Sequence, residues 1–136
     1  MIVLDCSAGM EIALGTDEGR ALRTLLLPEE EVIAPSLYSI EAVNVAWKLV
    51  HRAVMEKGEA KGLIQDALAL PDRLVPADDM LVEAFALAVS LDHSVYDMLY
   101  LVLARRNDAT LMTGDKRLQA LCLDAGVSCI TEVDVE

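Results

Sequence analysis

Ser94-Val95-Tyr96-Asp97-Met98-Leu99-Tyr100-Leu101-Val102-Leu103-Ala104 is the stretch on which the fold turns. Its eleven residues carry a single charge, that of Asp97. An ionised carboxylate in so apolar a run is costly unless something pairs with it. Two readings stand side by side. Ser94 and Asp97 have the S-x-x-D form of a capping box, which would make Asp97 the third residue of a core helix running to about Arg106. Alternatively, Asp97 faces a cation.

The flanks of this helix favour an alternating chain. Thr110-Leu111-Met112 reads as a strand, Thr113-Gly114-Asp115 as the turn after it, and Lys116 to Ala125 as a helix that Gly126 terminates. At the other end, Ile2-Val3-Leu4 is a short continuous apolar run, as a buried parallel strand would be. Asp5-Cys6-Ser7 ends it, and Ala8 to Leu14 follows as a short helix. Thr16-Asp17-Glu18 opens another, with acids in its first turn. Val32-Ile33-Ala34 is a second strand, stopped by Pro35. After Ser36, Leu37, Ile40, Val43, Ala46, Trp47 and Val50 recur at helical spacing as the apolar stripe of an amphipathic helix, with Glu41 beside it. Gly58 loosens the chain before a helix over Ala60 to Leu70. Arg73-Leu74-Val75 is a third strand, and Asp78 caps a helix from Met80 to about Leu91 with Leu81, Ala84, Phe85 and Ala88 on its apolar side. Val127 to Thr131 is expected as a final strand before a frayed acidic tail. Strands alternating with helices imply an α/β fold with a parallel sheet covered on both faces. The length of 136 residues suits one domain over 1–136 with a real core.

Composition narrows the function classes. Hydrophobic residues make up 54% and mean hydropathy is +0.39, so the chain is not of the disordered type. Eleven Lys and Arg against twenty-three Asp and Glu give a net charge of −12 and a pI near 4.4. That argues against simple electrostatic adhesion to nucleic acid or anionic membrane, and suits metal ions or a basic partner. Nucleic acid held through bound cations and a local basic patch stays open. The start, Met1-Ile2-Val3-Leu4-Asp5, lacks the basic region of a secretory signal, and no uncharged apolar run has the length of a membrane span. Three cysteines, Cys6, Cys122 and Cys129, include no C-x-x-C pair, so neither disulfides nor a structural zinc is expected. The expectation is a cytoplasmic protein. With only 4% aromatic residues, its apolar side chains are mostly Leu, Val, Ile, Ala and Met. Some of the helix surface from Ala8 to Leu27 and from Leu37 to Val54 is expected to stay uncovered in a monomer, which predicts a homodimer.

Ligands of open α/β sheets bind beyond the carboxyl ends of the strands. Asp5 directly follows the first strand, and Asp115 follows the fourth after two residues. Glu41 lies in the first turns after the second strand. Asp97 opens the helix that leads into the fourth. Each has an ordinary reading as a cap or a surface residue, but those readings give no reason for the four to converge. Four packed carboxylates repel and raise one another's pKa values. A hard divalent cation relieves this, and oxygen donors suit Mg²⁺ or Mn²⁺, the ions of phosphate chemistry. Ser7 and Thr113 add hydroxyls at the same edge. His93 and His51 are read as surface residues.

The chain resembles the PIN-domain family, most of all the VapC-type toxins of toxin–antitoxin pairs. The resemblance rests on Val3-Leu4-Asp5-Cys6-Ser7-Ala8, Pro35-Ser36-Leu37 with Glu41-Ala42-Val43-Asn44-Val45, His93-Ser94-Val95-Tyr96-Asp97-Met98-Leu99-Tyr100, and Leu111-Met112-Thr113-Gly114-Asp115-Lys116-Arg117-Leu118. It implies a three-layer α/β/α fold, Mg²⁺- or Mn²⁺-dependent endoribonuclease activity, and a small antitoxin that blocks the site. Carried over by position, Asp5, Glu41, Asp97 and Asp115 are the metal-site acids, with Thr113 assisting catalysis. Lys48, Arg52, Arg105, Arg106, Lys116 and Arg117 are candidates for phosphate contact. An acidic pocket of this kind would accept an Arg from a basic C-terminal segment of the antitoxin, because a guanidinium engages carboxylates in pairs. The competing classes are a non-catalytic binding protein on the same fold, and a phosphatase or phospho-receiver with acids at strand ends. The phosphatase type needs an acid where Ser7 stands. A receiver needs one after the third strand, where Pro76-Ala77 follows.

Overall fold

The computed structural model describes residues 1–130. The strands are β1 (Ile2–Leu4), β2 (Val32–Pro35), β3 (Arg73–Val75) and β4 (Thr110–Met112). The helices are α1 (Cys6–Leu14), α2 (Asp17–Arg23), α3 (Leu37–His51), α4 (Lys57–Leu68), α5 (Leu81–Leu91), α6 (Val95–Arg106) and α7 (Lys116–Ala125). The strands form one parallel sheet in the order β3-β2-β1-β4. Ile2 aligns with Val32 on one side and with Thr110 on the other, and Ile33 with Arg73. Every residue of β1 and β2 is buried, as two covered sheet faces require. The result is the expected three-layer α/β/α arrangement. Among the described residues, no single helix is long and apolar enough to cross a membrane.

α6 is the most buried helix. Met98 to Ala104 are buried without interruption, and α6 packs against β1, β2, β4, α5 and α7. A helix apolar on all sides has no solvent face to keep, which is why one charged residue in it stands out. Its start is set by Ser94, whose Oγ accepts the Asp97 N–H at 3.4 Å. Only half of the expected capping box forms, because the Asp97 carboxylate turns elsewhere.

Several boundaries differ from the sequence reading. α1 starts at Cys6, directly after Asp5. α4 starts at Lys57 and contains Gly58, so that glycine is helical. Residues 78–80 form a 3₁₀ turn ahead of α5, and the Asp78 side chain makes no cap bond. Among the described residues, the expected fifth strand shows one parallel bridge, between Leu111 and Cys129. Leu111 N–H donates to Ser128 O at 2.9 Å and Ile130 N–H to Leu111 O at 3.1 Å, so among the described residues one residue of β4 makes this pairing. The expected end of that strand at Thr131 and the acidic tail lie outside the described residues.

The larger correction concerns α3. Its expected stripe is mostly outside, with Ile40 68% exposed and Val43 and Trp47 also exposed. The buried residues are Tyr38 and Ala42, offset from that stripe, and Ala46, the stripe's one buried member. α3 packs on α4 and α1, and small residues there (Ala42, Ala46, Ala60, Ala67) let the helices approach closely. Tyr38 is the exception, and a glycine accommodates it: a Cβ at Gly9 would lie 2.3 Å from the Tyr38 hydroxyl oxygen. That hydroxyl donates to Ala67 O at 2.7 Å, tying α3 to α4. α5 repeats the pattern, burying Ala84 and Ala88 while Leu81 and Phe85 face outward.

This register has a measurable consequence. Ala42→Leu overfills a closed helix contact and should cost about 1–3 kcal/mol, while Ile40→Ala should change stability by no more than about 0.5 kcal/mol. Urea midpoints at constant slope check the pair. The opposite ranking would put the Ile40 stripe back in the core.

Candidate metal centre

The chain steps outward through β1, β2 and β3, then returns to place β4 on the free side of β1. Open α/β sheets bind ligands at the carboxyl end of such a reversal. Asp5 and Thr113 emerge there from adjacent strands, since Leu4 aligns with Met112. Asp5 N–H donates to Met112 O at 2.9 Å, which continues the ladder one step and fixes Asp5 beside Thr113.

Asp5 occupies the N-cap position of α1 but makes no side-chain cap bond. Its Oδ2 instead accepts the Ser7 hydroxyl at 2.7 Å and the Thr113 hydroxyl at 2.5 Å. Those hydroxyls in turn accept backbone donors: Ser7 Oγ from Gly114 N–H at 2.9 Å, and Thr113 Oγ1 from Asp115 N–H at 3.1 Å. Both hydroxyls are therefore committed to shaping the turn and holding one oxygen of Asp5. Burial raises the Asp5 pKa; the Thr113 and Ser7 hydrogen bonds oppose this, and the nearby Asp97 charge adds to it.

Among the described residues, Asp97, Asp115 and His93 form a group in which one ligating atom from each lies within 4.8 Å of the others. Asp115 is both cap and site residue: its Oδ1 accepts Arg117 N–H at 2.9 Å and Leu118 N–H at 3.3 Å at the start of α7. Glu41 joins through α3. Its Oε1 accepts the Tyr100 hydroxyl at 2.5 Å, and Tyr100 is one residue short of a full turn beyond Asp97. Burial first, then the charges of Asp5 and Asp97, push the Glu41 pKa up to about 6, while the Tyr100 bond acts against the shift. Asp5, Glu41 and Asp97 thus feel one another electrostatically, and Asp97 links them to Asp115.

Three readings from the sequence change. His93 is not a surface residue: its side chain is only 6% exposed, and Nε2 lies 2.7 Å from Asp97 Oδ2. The signal was present as i,i+4 spacing to Asp97. Tyr100 is not merely core, because it holds Glu41. Arg105 and Arg106 leave the list of phosphate contacts. They pair with Glu83 at 2.6 and 2.8 Å, at the far end of α6, about 12 Å from Asp97 along the axis. Arg117 is also engaged, donating to Asp92 O at 2.8 Å. His51 is exposed as expected and stacks on Trp47. The three cysteines are free, and burial pushes the Cys6 thiol up to about 12, an unreactive state.

A family model for the PIN domain matches residues 2–123. The chain belongs to the PIN-domain family. It is 33% identical over 118 residues to Ribonuclease VapC12 of Mycobacterium tuberculosis, covering 87% of this chain and 89% of that protein. Ribonuclease VapC3 of Pyrobaculum aerophilum is 25% identical over 119 residues, covering 86% and 91%. The fold is similar to the crystal structure of PAE2754 from Pyrobaculum aerophilum, with TM-score 0.71 and 24% identity over 88% of this chain and 77% of that one. It is also similar to FitAcB from Neisseria gonorrhoeae, with TM-score 0.57 and 18% identity over 96% of each chain.

The donor set in this PIN fold fits a hard divalent cation. One oxygen of each aspartate is held by the protein: Oδ2 of Asp5, Oδ2 of Asp97 and Oδ1 of Asp115. Among the described residues the other oxygen of each accepts no side-chain hydrogen bond. Oxygen-rich donors with one imidazole at the edge suit Mg²⁺ or Mn²⁺ better than zinc.

The raised Glu41 pKa predicts a pH dependence. The folded state binds the Glu41 proton more tightly than the unfolded chain, whose value is near 4.5. Metal-free stability should therefore fall as pH rises from about 4.5 to about 6 and then level off. Glu41→Gln should remove that share, leaving the variant more stable than wild type above pH 6 by on the order of 1 kcal/mol. Thermal melts in chelator check this; equal stability of the two proteins at pH 7 would contradict it.

Proposed function

We propose that this chain is a metal-dependent endoribonuclease, the toxin of a VapC-type toxin–antitoxin pair. The observation that carries the reading is the approach of Asp97, Asp115 and His93, beside an Asp5 whose hydroxyl partners Ser7 and Thr113 accept the backbone of the Asp115 turn, in a PIN fold whose named relatives are ribonucleases. When bound, Mg²⁺ or Mn²⁺ supplies Lewis-acid chemistry, acidifying a water and neutralising phosphate charge. Asp5, Asp97 and Asp115 would hold that ion, with Glu41 completing the shell or holding a second one. Thr113 serves through Asp5, whose carboxylate it orients. Lys116, exposed beside Asp115, would meet the substrate phosphate, with exposed Lys48 on α3 and Arg52 at its C-terminal end as further contacts. A phosphatase on strand-end acids is disfavoured, because Ser7 is consumed by Asp5.

Two partners belong to this reading. A second copy of the chain would cover apolar surface left on Leu14, Leu25 and Leu27, on Ile40, Val43 and Trp47, and on Val82, Phe85 and Val89. The first two groups fall in the stretches expected from the sequence, and the α5 group was not foreseen. The antitoxin would bring a basic C-terminal segment, with an Arg set against Asp5, Asp97 or Asp115 in competition with metal.

The test is cleavage of a mixed RNA pool by protein whose mass by light scattering is expected to be that of a homodimer. Cleavage should require Mn²⁺ or Mg²⁺ and stop with chelator. Asp97→Asn should stay folded and lose about 100-fold or more, since even partners one shell removed from a metal cost 10–100-fold. Metal-independent cleavage, or full activity in Asp97→Asn, would return Asp97 to a capping role. A folded, metal-binding wild type that cuts no RNA would favour the non-catalytic reading.

A further inference from the structure

We infer that His93 is a positioning residue for Asp97: its Nε2–H holds one carboxylate oxygen so that the other is presented to the cation. This rests on the metal-site reading above and adds a residue to it. The imidazole is 94% removed from solvent by its side-chain exposure of 6%, and Asp97 is only 26% exposed. An ionised carboxylate is an acceptor only, so the 2.7 Å contact places a hydrogen on Nε2. Nδ1 is buried and has no hydrogen-bond partner among the described residues. A hydrogen there would be an orphaned donor, whereas a lone pair leaves only an unfilled acceptor. Buried polar groups are normally satisfied. A histidine kept for packing would have both nitrogens matched or would be replaced by an apolar residue; this one leaves one nitrogen idle and commits the other to a site acid.

The backbone around it is fixed to match. Asp92 adopts a left-handed conformation, φ 51°, which non-glycine residues seldom take. His93 N–H donates to Ala88 O at 3.1 Å, closing α5. Asp92 O accepts Arg117 Nη2 at 2.8 Å, and Arg117 sits in the first turn of α7, two residues beyond Asp115. The α5–α6 corner is thereby tied to the helix that Asp115 caps. Asp97 is joined to the corner through His93, and Asp115 through Arg117. The two carboxylates that share a ligand-distance group with His93 are thus held by one bracket. Terminal carboxylate torsions are broad and two-fold, and a donor fixed on Oδ2 removes that freedom before the cation arrives.

The test measures Mn²⁺ affinity of the full chain by calorimetry at fixed pH. His93→Leu keeps bulk without a donor. His93→Gln restores an amide N–H at the reach of Nε2. Asp97→Asn is measured alone and combined with His93→Leu. His93→Leu should weaken Mn²⁺ binding by about 10–100-fold, the usual effect of losing a residue that orients a ligand. His93→Gln should recover most of that loss, and His93→Leu should add nothing in the Asp97→Asn background. Unchanged affinity in His93→Leu overturns the inference. So does an equal loss in both backgrounds, which would make His93 a direct ligand. If His93→Leu is unfolded by circular dichroism, His93→Asn, whose amide reaches only as far as Nδ1, takes its place with the same outcomes. Wild type that binds no Mn²⁺ overturns the metal-site reading itself, and is told apart because every variant is then equally flat.

Discussion

Asp5 is a carboxylate buried at the end of a central strand, and the surrounding structure answers that constraint. Its backbone extends the β1–β4 ladder, so it cannot swing out to water without breaking a hydrogen bond to Met112. Burial opposes its charge. Two hydroxyls, from Ser7 one way along the chain and Thr113 more than a hundred residues later, place their hydrogens on a single oxygen. Those same hydroxyls accept the backbone of the Gly114–Asp115 turn, so the turn that brings Asp115 in is built on the group that neutralises Asp5. Site and fold are therefore one construction.

Like charges gather around this point at an energetic cost. Asp97 adds to the cost of charging Asp5, and Asp5 and Asp97 to that of charging Glu41; Glu41 is held by Tyr100 of the core helix α6, and Asp97 by His93 just before that helix. α6 thus carries two kinds of residue at once. Its apolar sides bury the sheet, and Asp97 and Tyr100, three apart near its start, serve the site. A divalent cation would satisfy the unfilled oxygens.

Much of this was legible in the sequence, for a physical reason. Short apolar runs ended by Asp5, Pro35 and Thr113-Gly114-Asp115 declare parallel strands, because a buried strand tolerates no polar residue until it ends. Topology puts Asp5 and Asp115 at the same edge of the sheet, since both follow adjacent parallel strands. What escaped depends on which side of a helix meets a neighbour. On α3 and α5 the large residues looked like the core stripe, yet close helix contacts select alanine, and Ile40, Trp47 and Phe85 are left outside. Periodicity reports an apolar face without saying whether another helix or another molecule covers it. His93 was missed because its burial comes from a left-handed corner at Asp92, which a non-glycine residue does not advertise.

The central claim is that the converging carboxylates are a cation site rather than a set of helix caps. Thermal unfolding at pH 7 with increasing Mn²⁺ tests it most directly, since a ligand that binds only the folded state stabilises by about 2.7 kcal/mol at a hundred times its dissociation constant. The account predicts a melting temperature that climbs through the millimolar range, with the rise cut back in Asp5→Asn and in Asp115→Asn. A melting temperature that stays level across that titration in wild type, or a rise that survives intact in both variants, would contradict it.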